Sequence, residues 1–322
     1  MDKKDLRIVY MGTPEFAVES LKRLVEGGYN VVGVITMPDK PMGRHGSVLQ
    51  PSPVKQYAVE HGLKVMQPEK LKDEAFVAEL RSLNADLQIV VAFRMLPEIV
   101  WNMPRLGTFN LHASLLPQYR GAAPINWAVI NGDTETGITT FFLKHEIDTG
   151  EIIDQVRVPI ADDDNVEVVY DKLMKLGGTL VVKTVDAILA GNVHTTPQEE
   201  LAEVGELRPA PKIFKDTCRI DWSQGVKKVY DFIRGLSPYP AAWTELHHND
   251  TVSVLKIFES RKEFCKHDYA EGMVLTDGKK YFKIALFDGY LDIHSLQLAG
   301  KKRMNVGDFL RGFHVADEMT VK

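Results

Sequence analysis

Leu6-Arg7-Ile8-Val9-Tyr10-Met11-Gly12-Thr13-Pro14 is the stretch on which the fold turns. A short apolar run broken only by Arg7 suits a strand buried in a parallel sheet. Thr13 is a candidate helix N-cap, and Pro14 suits the first helical position, where its missing N–H costs nothing. A helix is predicted to about residue 26, with Phe16, Leu21, Leu24 and Val25 as its apolar stripe and Gly27-Gly28 as its stop. Working outward, residues 30–36 (NVVGVIT) form a second strand. Helices near 52–61 and 73–83, a strand at 86–92, a short helix from 97, a strand at 107–112 and a helix near 122–131 continue the alternation. Strands alternating with helices imply a parallel α/β sheet.

The pattern changes after Gly132. Residues 135–144 and 151–160 read as strands, residues 165–190 as a long helix, and residues 192–211, with Thr195-Thr196-Pro197, several glutamates, Pro209 and Pro211, as a linker. Beyond it come an amphipathic helix near 223–234 and short alternating segments such as 252–258, 281–287 and 290–298, the mark of a small β-barrel. The expected domains are 1–191, a linker at 192–211, and 212–322. A chain of 322 residues is long enough for two cores.

Composition excludes several classes. No apolar run approaches the ~18 residues of a membrane helix. The start, Met1-Asp2-Lys3-Lys4-Asp5, lacks both an apolar signal core and the acid-poor character of a mitochondrial presequence. The reading is therefore cytoplasmic, with Cys218 and Cys265 as reduced thiols. Two cysteines and no H-E-x-x-H give no zinc site, so no metal is expected. Gly12-Thr13-Pro14 is not a dinucleotide fingerprint, and no phosphate-binding P-loop is present. The net charge of −5 divides unevenly: residues 1–211 carry 21 Lys+Arg against 29 Asp+Glu, a net of −8, and residues 212–322 carry 18 against 15, a net of +3. A mildly basic tail beside an acidic body permits a phosphate-rich partner without requiring one.

Three places could carry chemistry. Asn110 and His112 lie two apart in a strand, so they share a face at the strand's carboxyl end, where open α/β sheets bind ligands. An Asn amide can donate to a developing oxyanion, and a His can donate or shuttle a proton. Each could equally cap a loop or sit satisfied in the interior. Asp148, in Asp148-Thr149-Gly150, belongs to a tripeptide that is also a common turn. Residues 37–53 form a long Gly/Pro-rich loop carrying Lys40, Arg44 and His45, which suits phosphate contact or simply a mobile surface.

Together these segments resemble the folate-dependent formyltransferases, and within them the family of methionyl-tRNA formyltransferases, along almost the whole chain. The stretches that carry the resemblance are Gly12-Thr13-Pro14 with Phe16-Ala17, Pro38-Asp39 to Gly43-Arg44, Pro51-Ser52-Pro53-Val54-Lys55, Asn110-Leu111-His112, Ser114-Leu115-Leu116-Pro117, Arg120-Gly121-Ala122-Ala123-Pro124-Ile125, Asp148-Thr149-Gly150, Arg219-Ile220-Asp221-Trp222 and Ala299-Gly300-Lys301-Lys302. The resemblance implies a Rossmann-like N-terminal catalytic domain and a C-terminal OB-like barrel that binds tRNA. It implies that 10-formyltetrahydrofolate gives its formyl group to the amine of methionyl initiator tRNA, in a monomeric enzyme. Asn110, His112 and Asp148 match the family's catalytic trio, and a hydrogen bond from His112 to Asp148 is expected to orient the ring. The donor pocket would involve Phe93, Met95, Leu96 and Pro97 with Ser114, Leu115, Leu116 and Pro117, and the tRNA would meet Lys40, Arg44, Lys301 and Lys302. Rival readings keep the donor and change the acceptor, to an amino sugar, a nucleotide-linked amine or water. Two departures stand out. Relatives have Ala-Tyr-Gly-Leu-Ile-Leu-Pro where this chain has the shorter Ala92-Phe93-Arg94-Met95-Leu96-Pro97, and Glu146 replaces a frequent glycine.

Overall fold

The computed structural model describes residues 1–201 and 205–322, and of Arg44 the backbone alone. In chain order the first elements are β1 (Arg7–Gly12), α1 (Glu15–Glu26), β2 (Asn30–Ile35), β3 (Lys40–Met42), β4 (Val48–Gln50), α2 (Pro53–Glu60), β5 (Val65–Met66), α3 (Glu74–Ser82), β6 (Leu87–Val91), α4 (Glu98–Trp101) and β7 (Thr108–His112). Then follow α5 (Pro124–Ile130), β8 (Glu135–Phe142), β9 (Ile152–Pro159) and α6 (Val166–Leu189). The last elements are α7 (Val226–Leu236), β10 (Ala242–His248), β11 (Thr251–Phe264), β12 (Val274–Thr276), β13 (Phe282–Leu286), β14 (Gly289–Leu298), β15 (Met304–Asn305), α8 (Val306–Gly312) and β16 (Met319–Val321).

The chain divides into two compact units. One comprises Met1–Gly121, Thr136–Val158 and Tyr170–Pro209, and the other Ala122–Glu135, Pro159–Val169 and Ala210–Lys322. In the first, a sheet runs in the order β5-β2-β1-β6-β7-β8-β9. The β5–β2, β2–β1, β1–β6 and β6–β7 pairings are parallel, and β7–β8 is antiparallel. This is the parallel α/β sheet that the alternation predicts, with the Rossmann-like order that the resemblance implies. From β1 the chain order runs outward both ways, so β1 and β6 flank a switch point, the place where open α/β sheets bind ligands. Ile8, Val9, Tyr10 and Met11 are fully buried. Gly12 is required by close packing: a Cβ there would come 2.7 Å from the Cβ of Ala17 and 2.8 Å from the carbonyl oxygen of Val91.

The second unit holds a nearly closed antiparallel barrel, in the order β12-β13-β14-β11-β10-β16, with β15 on β14. A bridge between Met273 and Thr320 draws its two edges together. Alternate residues Leu255 and Ile257, Ile284 and Leu286, and Leu291 and Ile293 point inward and are fully buried. Here α7 lays Val226, Val229 and Ile233 on the core.

Three local expectations come out differently. Thr13 does not cap α1: the cap position falls on Pro14, and the Thr13 hydroxyl accepts from the Met37 amide. Residues 37–53 are not an open loop but carry the β3–β4 hairpin, with His45 at φ 62 near its tip. Of the stretch read as a linker, residues 192–201 and 205–209 belong to the first compact unit, where Ile152 and Thr196 exchange two backbone hydrogen bonds of 2.9 Å. A proline-rich composition conceals short pairings of this kind, because they depend on a partner distant in sequence.

Candidate active site

The site is assembled from β7 and the two loops beside its end. Asn110 is half-buried and its side chain makes no hydrogen bond with the described residues, which leaves the amide available to a ligand. His112, 7% exposed, points to the same face. Its Nε2 lies 2.8 Å from the carbonyl oxygen of Tyr119. A carbonyl only accepts, so Nε2–H donates, and Nδ1 is the nitrogen left to exchange a proton. Asp148 Oδ2 stands 3.8 Å from that Nδ1. This is ion-pair range and too long for the hydrogen bond expected from the sequence. The carboxylate instead accepts from the Gly121 amide at 3.0 Å. Asp148 is 8% exposed and sits at φ 56, a left-handed conformation that Asp tolerates better than most residues. Gly150 ends the turn where nothing larger fits, since a Cβ would lie 1.6 Å from the carbonyl oxygen of Phe142.

The loop after β7 is pinned from beneath. Thr139 Oγ1 donates to the Ser114 carbonyl at 2.7 Å, and Gln155 Nε2 donates to the Leu116 carbonyl at 2.9 Å. Ser114 commits its hydroxyl to the Gln118 carbonyl at 2.6 Å, while Leu116 packs with Phe141 and Ile152. Of the four loop residues assigned to donor binding, Ser114, Leu116 and Pro117 are buried and Leu115 is partly open. After β6, Ala92 turns at φ 48, Leu96 is buried, Phe93 and Pro97 are half-buried, and Met95 is 70% exposed. The unexpected Arg94 has a definite place. It donates to the carbonyls of Glu69, at 2.8 Å, and Pro68, and lies over the Phe93 ring at 5.3 Å. Burial pulls its guanidinium below the usual arginine range.

The β3–β4 hairpin is anchored at its base. Lys55 Nζ donates to both oxygens of Asp39, at 3.0 and 2.9 Å, and Gln67 Nε2 donates to Asp39 Oδ1 at 2.7 Å. The Lys55 hydrogen bond first, and then that of Gln67, holds the Asp39 carboxyl below its ordinary range. Lys40, Met42, Val48 and Leu49 are exposed on the hairpin, as are Lys301 and Lys302 on the turn after β14. The side chain of Arg44 lies outside the described residues. Among the described residues no cluster of His, Cys, Asp and Glu could hold a metal ion, and no helix is long and apolar enough to cross a membrane.

The formyl transferase family matches residues 6–185, and the C-terminal domain of formyl transferases matches residues 212–314. The chain belongs to the formyltransferase family. Within that family it is similar to methionyl-tRNA formyltransferases over its full length. It is 77% identical to that of Phocaeicola vulgatus, with all of both chains covered, and 71% identical to that of Bacteroides fragilis, with all of this chain and 99% of the relative covered. The methionyl-tRNA formyltransferase of Porphyromonas gingivalis is 50% identical, again with all of both chains covered. Among solved structures, the N-formyltransferase of Helicobacter canadensis, in complex with folinic acid and dTDP-3-aminofucose, superposes with a TM-score of 0.65 at 20% identity, covering 93% of this chain and all of that one. HypX of Aquifex aeolicus with tetrahydrofolic acid gives a TM-score of 0.61 at 18% identity over 98% of this chain and 51% of its own. At such identities these two likenesses speak for the formyltransferase fold alone.

Two contributors to the site escaped the sequence reading. Tyr119 supplies a backbone carbonyl, which any residue could do, so its type gives no signal. Gln198, which donates to the carbonyls of Asp148 and Gly150, lies in the stretch that reads as a linker, and only its position in the fold reveals it.

Proposed function

We propose that this formyltransferase moves the formyl group of 10-formyltetrahydrofolate to the amino group of methionyl initiator tRNA, as a cytoplasmic monomer. The observation that carries the reading is the end-to-end similarity, at 77% identity in one relative, to enzymes named for that acceptor. The geometry supports a route for the chemistry. The acceptor amine attacks the formyl carbon, a C–N bond forms, and the carbonyl oxygen gains negative charge. The free amide of Asn110 donates to that oxygen, an interaction that strengthens in the transition state. His112, with Nε2–H fixed on the Tyr119 carbonyl, takes the amine's proton at Nδ1 beside the Asp148 carboxylate. It then passes that proton to the folate nitrogen as the old C–N bond breaks, so that an amine leaves and not an amide anion. No covalent intermediate with the protein is needed.

In this reading residues 1–191 perform the catalysis, with Phe93, Met95, Leu96 and Pro97 and the loop from Ser114 to Pro117 around the donor. Residues 212–322, through Lys301 and Lys302, hold the tRNA together with Lys40 and Arg44, and residues 192–211 join the two domains. Transfer of labelled formyl to methionyl initiator tRNA, with elongator methionyl-tRNA as control, tests the reading. Initiator-selective labelling is expected. Label appearing as free formate or on an amino sugar, and none on tRNA, would replace the acceptor.

A further inference from the structure

We propose that Gln198 is a positioning residue for the Asp148 turn, so that a stretch whose composition reads as a linker completes the catalytic site. Gln198 is 1% exposed. Its Nε2 donates to the carbonyls of Asp148, at 2.7 Å, and Gly150, at 2.8 Å, which uses both of its N–H groups on one three-residue turn. Its Oε1 accepts from Arg120 Nε at 3.1 Å and Nη2 at 2.8 Å. The side-chain amide is thus satisfied on both ends and adds a second tie between two backbone segments that are otherwise joined through the Gly121 amide and the Asp148 carboxylate.

What the clamp holds is informative. Tyr119, Arg120 and Gly121 are consecutive: the first bonds His112 through its carbonyl, the second grips Gln198, and the third bonds the Asp148 carboxylate through its amide. Gln198 closes the circuit by gripping the backbone of the same Asp148. His112 and Asp148 do not bond one another directly at 3.8 Å, so their spacing is set by this ring of contacts and not by mutual attraction. Asp148 also sits at φ 56, a left-handed conformation that Asp tolerates but that the hydrogen bonds on both sides of the turn help to hold. The Gln198 segment is itself fastened by the paired hydrogen bonds between Ile152 and Thr196. Gln198 touches neither the amine nor the formyl group and acts through Asp148.

This inference rests on the formyl-transfer reading above. Its test uses the full-length enzyme with Gln198→Met, of similar length with no hydrogen bonds, and Gln198→Glu, which keeps an acceptor for Arg120 and loses both donors to the turn. Arg120→Met removes the other half of the clamp without touching a buried residue. For both Gln198 variants kcat is expected to fall ~10²-fold, the cost of a misplacement of about 1 Å, while KM for each substrate stays within about twofold. Amide exchange at Gly121, whose acceptor is the Asp148 carboxylate, is expected to accelerate in the same variants and in Arg120→Met, a readout independent of activity. Wild-type kcat in Gln198→Glu, or unchanged Gly121 exchange in all three variants, would overturn the clamp. A rise in both KM values with kcat unchanged would also overturn it. Failure of the wild-type enzyme to formylate tRNA would sink the functional reading and leave the exchange result to judge the clamp.

Discussion

Gly150→Ala puts the packing of the Asp148 turn to a severe test. An added Cβ would lie 1.6 Å from the Phe142 carbonyl oxygen, 2.8 Å from its carbon and 3.1 Å from Phe141 Cδ2. Contacts under 3.0 Å are essentially never seen at a real Cβ, so the gap must open by at least 1.4 Å, the difference between 3.0 and 1.6 Å. Phe142 cannot supply that movement cheaply, because it ends β8 and its amide donates to the Glu151 carbonyl at 3.1 Å. The turn must yield, and with it the Gly150 and Asp148 carbonyls held by Gln198. Displacing a catalytic group by about 1 Å costs roughly 10²-fold in rate, so Gly150→Ala is expected to lose at least ~10²-fold in kcat. Overpacking costs about 1–3 kcal/mol, and Tm falls with it. Stopped-flow or quenched single-turnover transfer measures the rate, and calorimetry the stability. Gly312→Ala is the control, since its added Cβ meets nothing within 4 Å. Transfer within threefold of wild type in Gly150→Ala would refute the claim that this turn is sterically fixed and that its placement sets the rate.

Two further outcomes concern the walls of the site. The Asp39 carboxyl is held below its ordinary range by Lys55 and then Gln67, so its support of the hairpin is fully present above the unfolded carboxylate value of about 3.9 and is lost as pH falls through the lower folded value. Limited proteolysis is therefore expected to spare residues 37–53 at neutral pH and to cut them faster in acid, with Asp39→Asn cut fast throughout; a pH-independent rate in the wild type would contradict this. Arg94→Ala frees the carbonyls of Pro68 and Glu69 and loosens Phe93, so KM for the folate donor is expected to rise ~3–10-fold, about 1 kcal/mol for a lost hydrogen bond, with KM for tRNA unchanged. Steady-state kinetics with each substrate varied in turn checks this, and equal changes in both would count against it.

The chain shows the strand of its candidate site openly and hides much of what surrounds it. The apolar run ending in Gly12 reads correctly as a parallel strand, because a strand buried on both faces needs no partner to look like one. The shared face of Asn110 and His112 follows from a period of two and needs no coordinates. What could not be read is pairing across distance. Asp148-Thr149-Gly150 looks like any turn until Gly121 and Gln198 are seen on it. Residues 192–209 carry prolines and glutamates suited to a linker, yet Thr196 pairs with Ile152 and Gln198 reaches the turn. The β3–β4 hairpin hides behind Pro38, Pro41 and Gly43 for the same reason. Arg94 looked like a break in a glycine region, and its purpose lies in two carbonyls about 25 residues away in sequence.

The central claim is that the end of β7 performs the chemistry, with the unengaged amide of Asn110 as oxyanion donor. Single-turnover formyl transfer by Asn110→Ala, with donor and methionyl-tRNA pre-bound at saturation, tests it most directly. The account expects a rate ~10²–10³-fold below wild type with both substrates still bound and Tm unchanged, since the Asn110 side chain makes no hydrogen bond with the described residues that the fold would miss. A rate within a few-fold of wild type would contradict it and move the oxyanion site elsewhere.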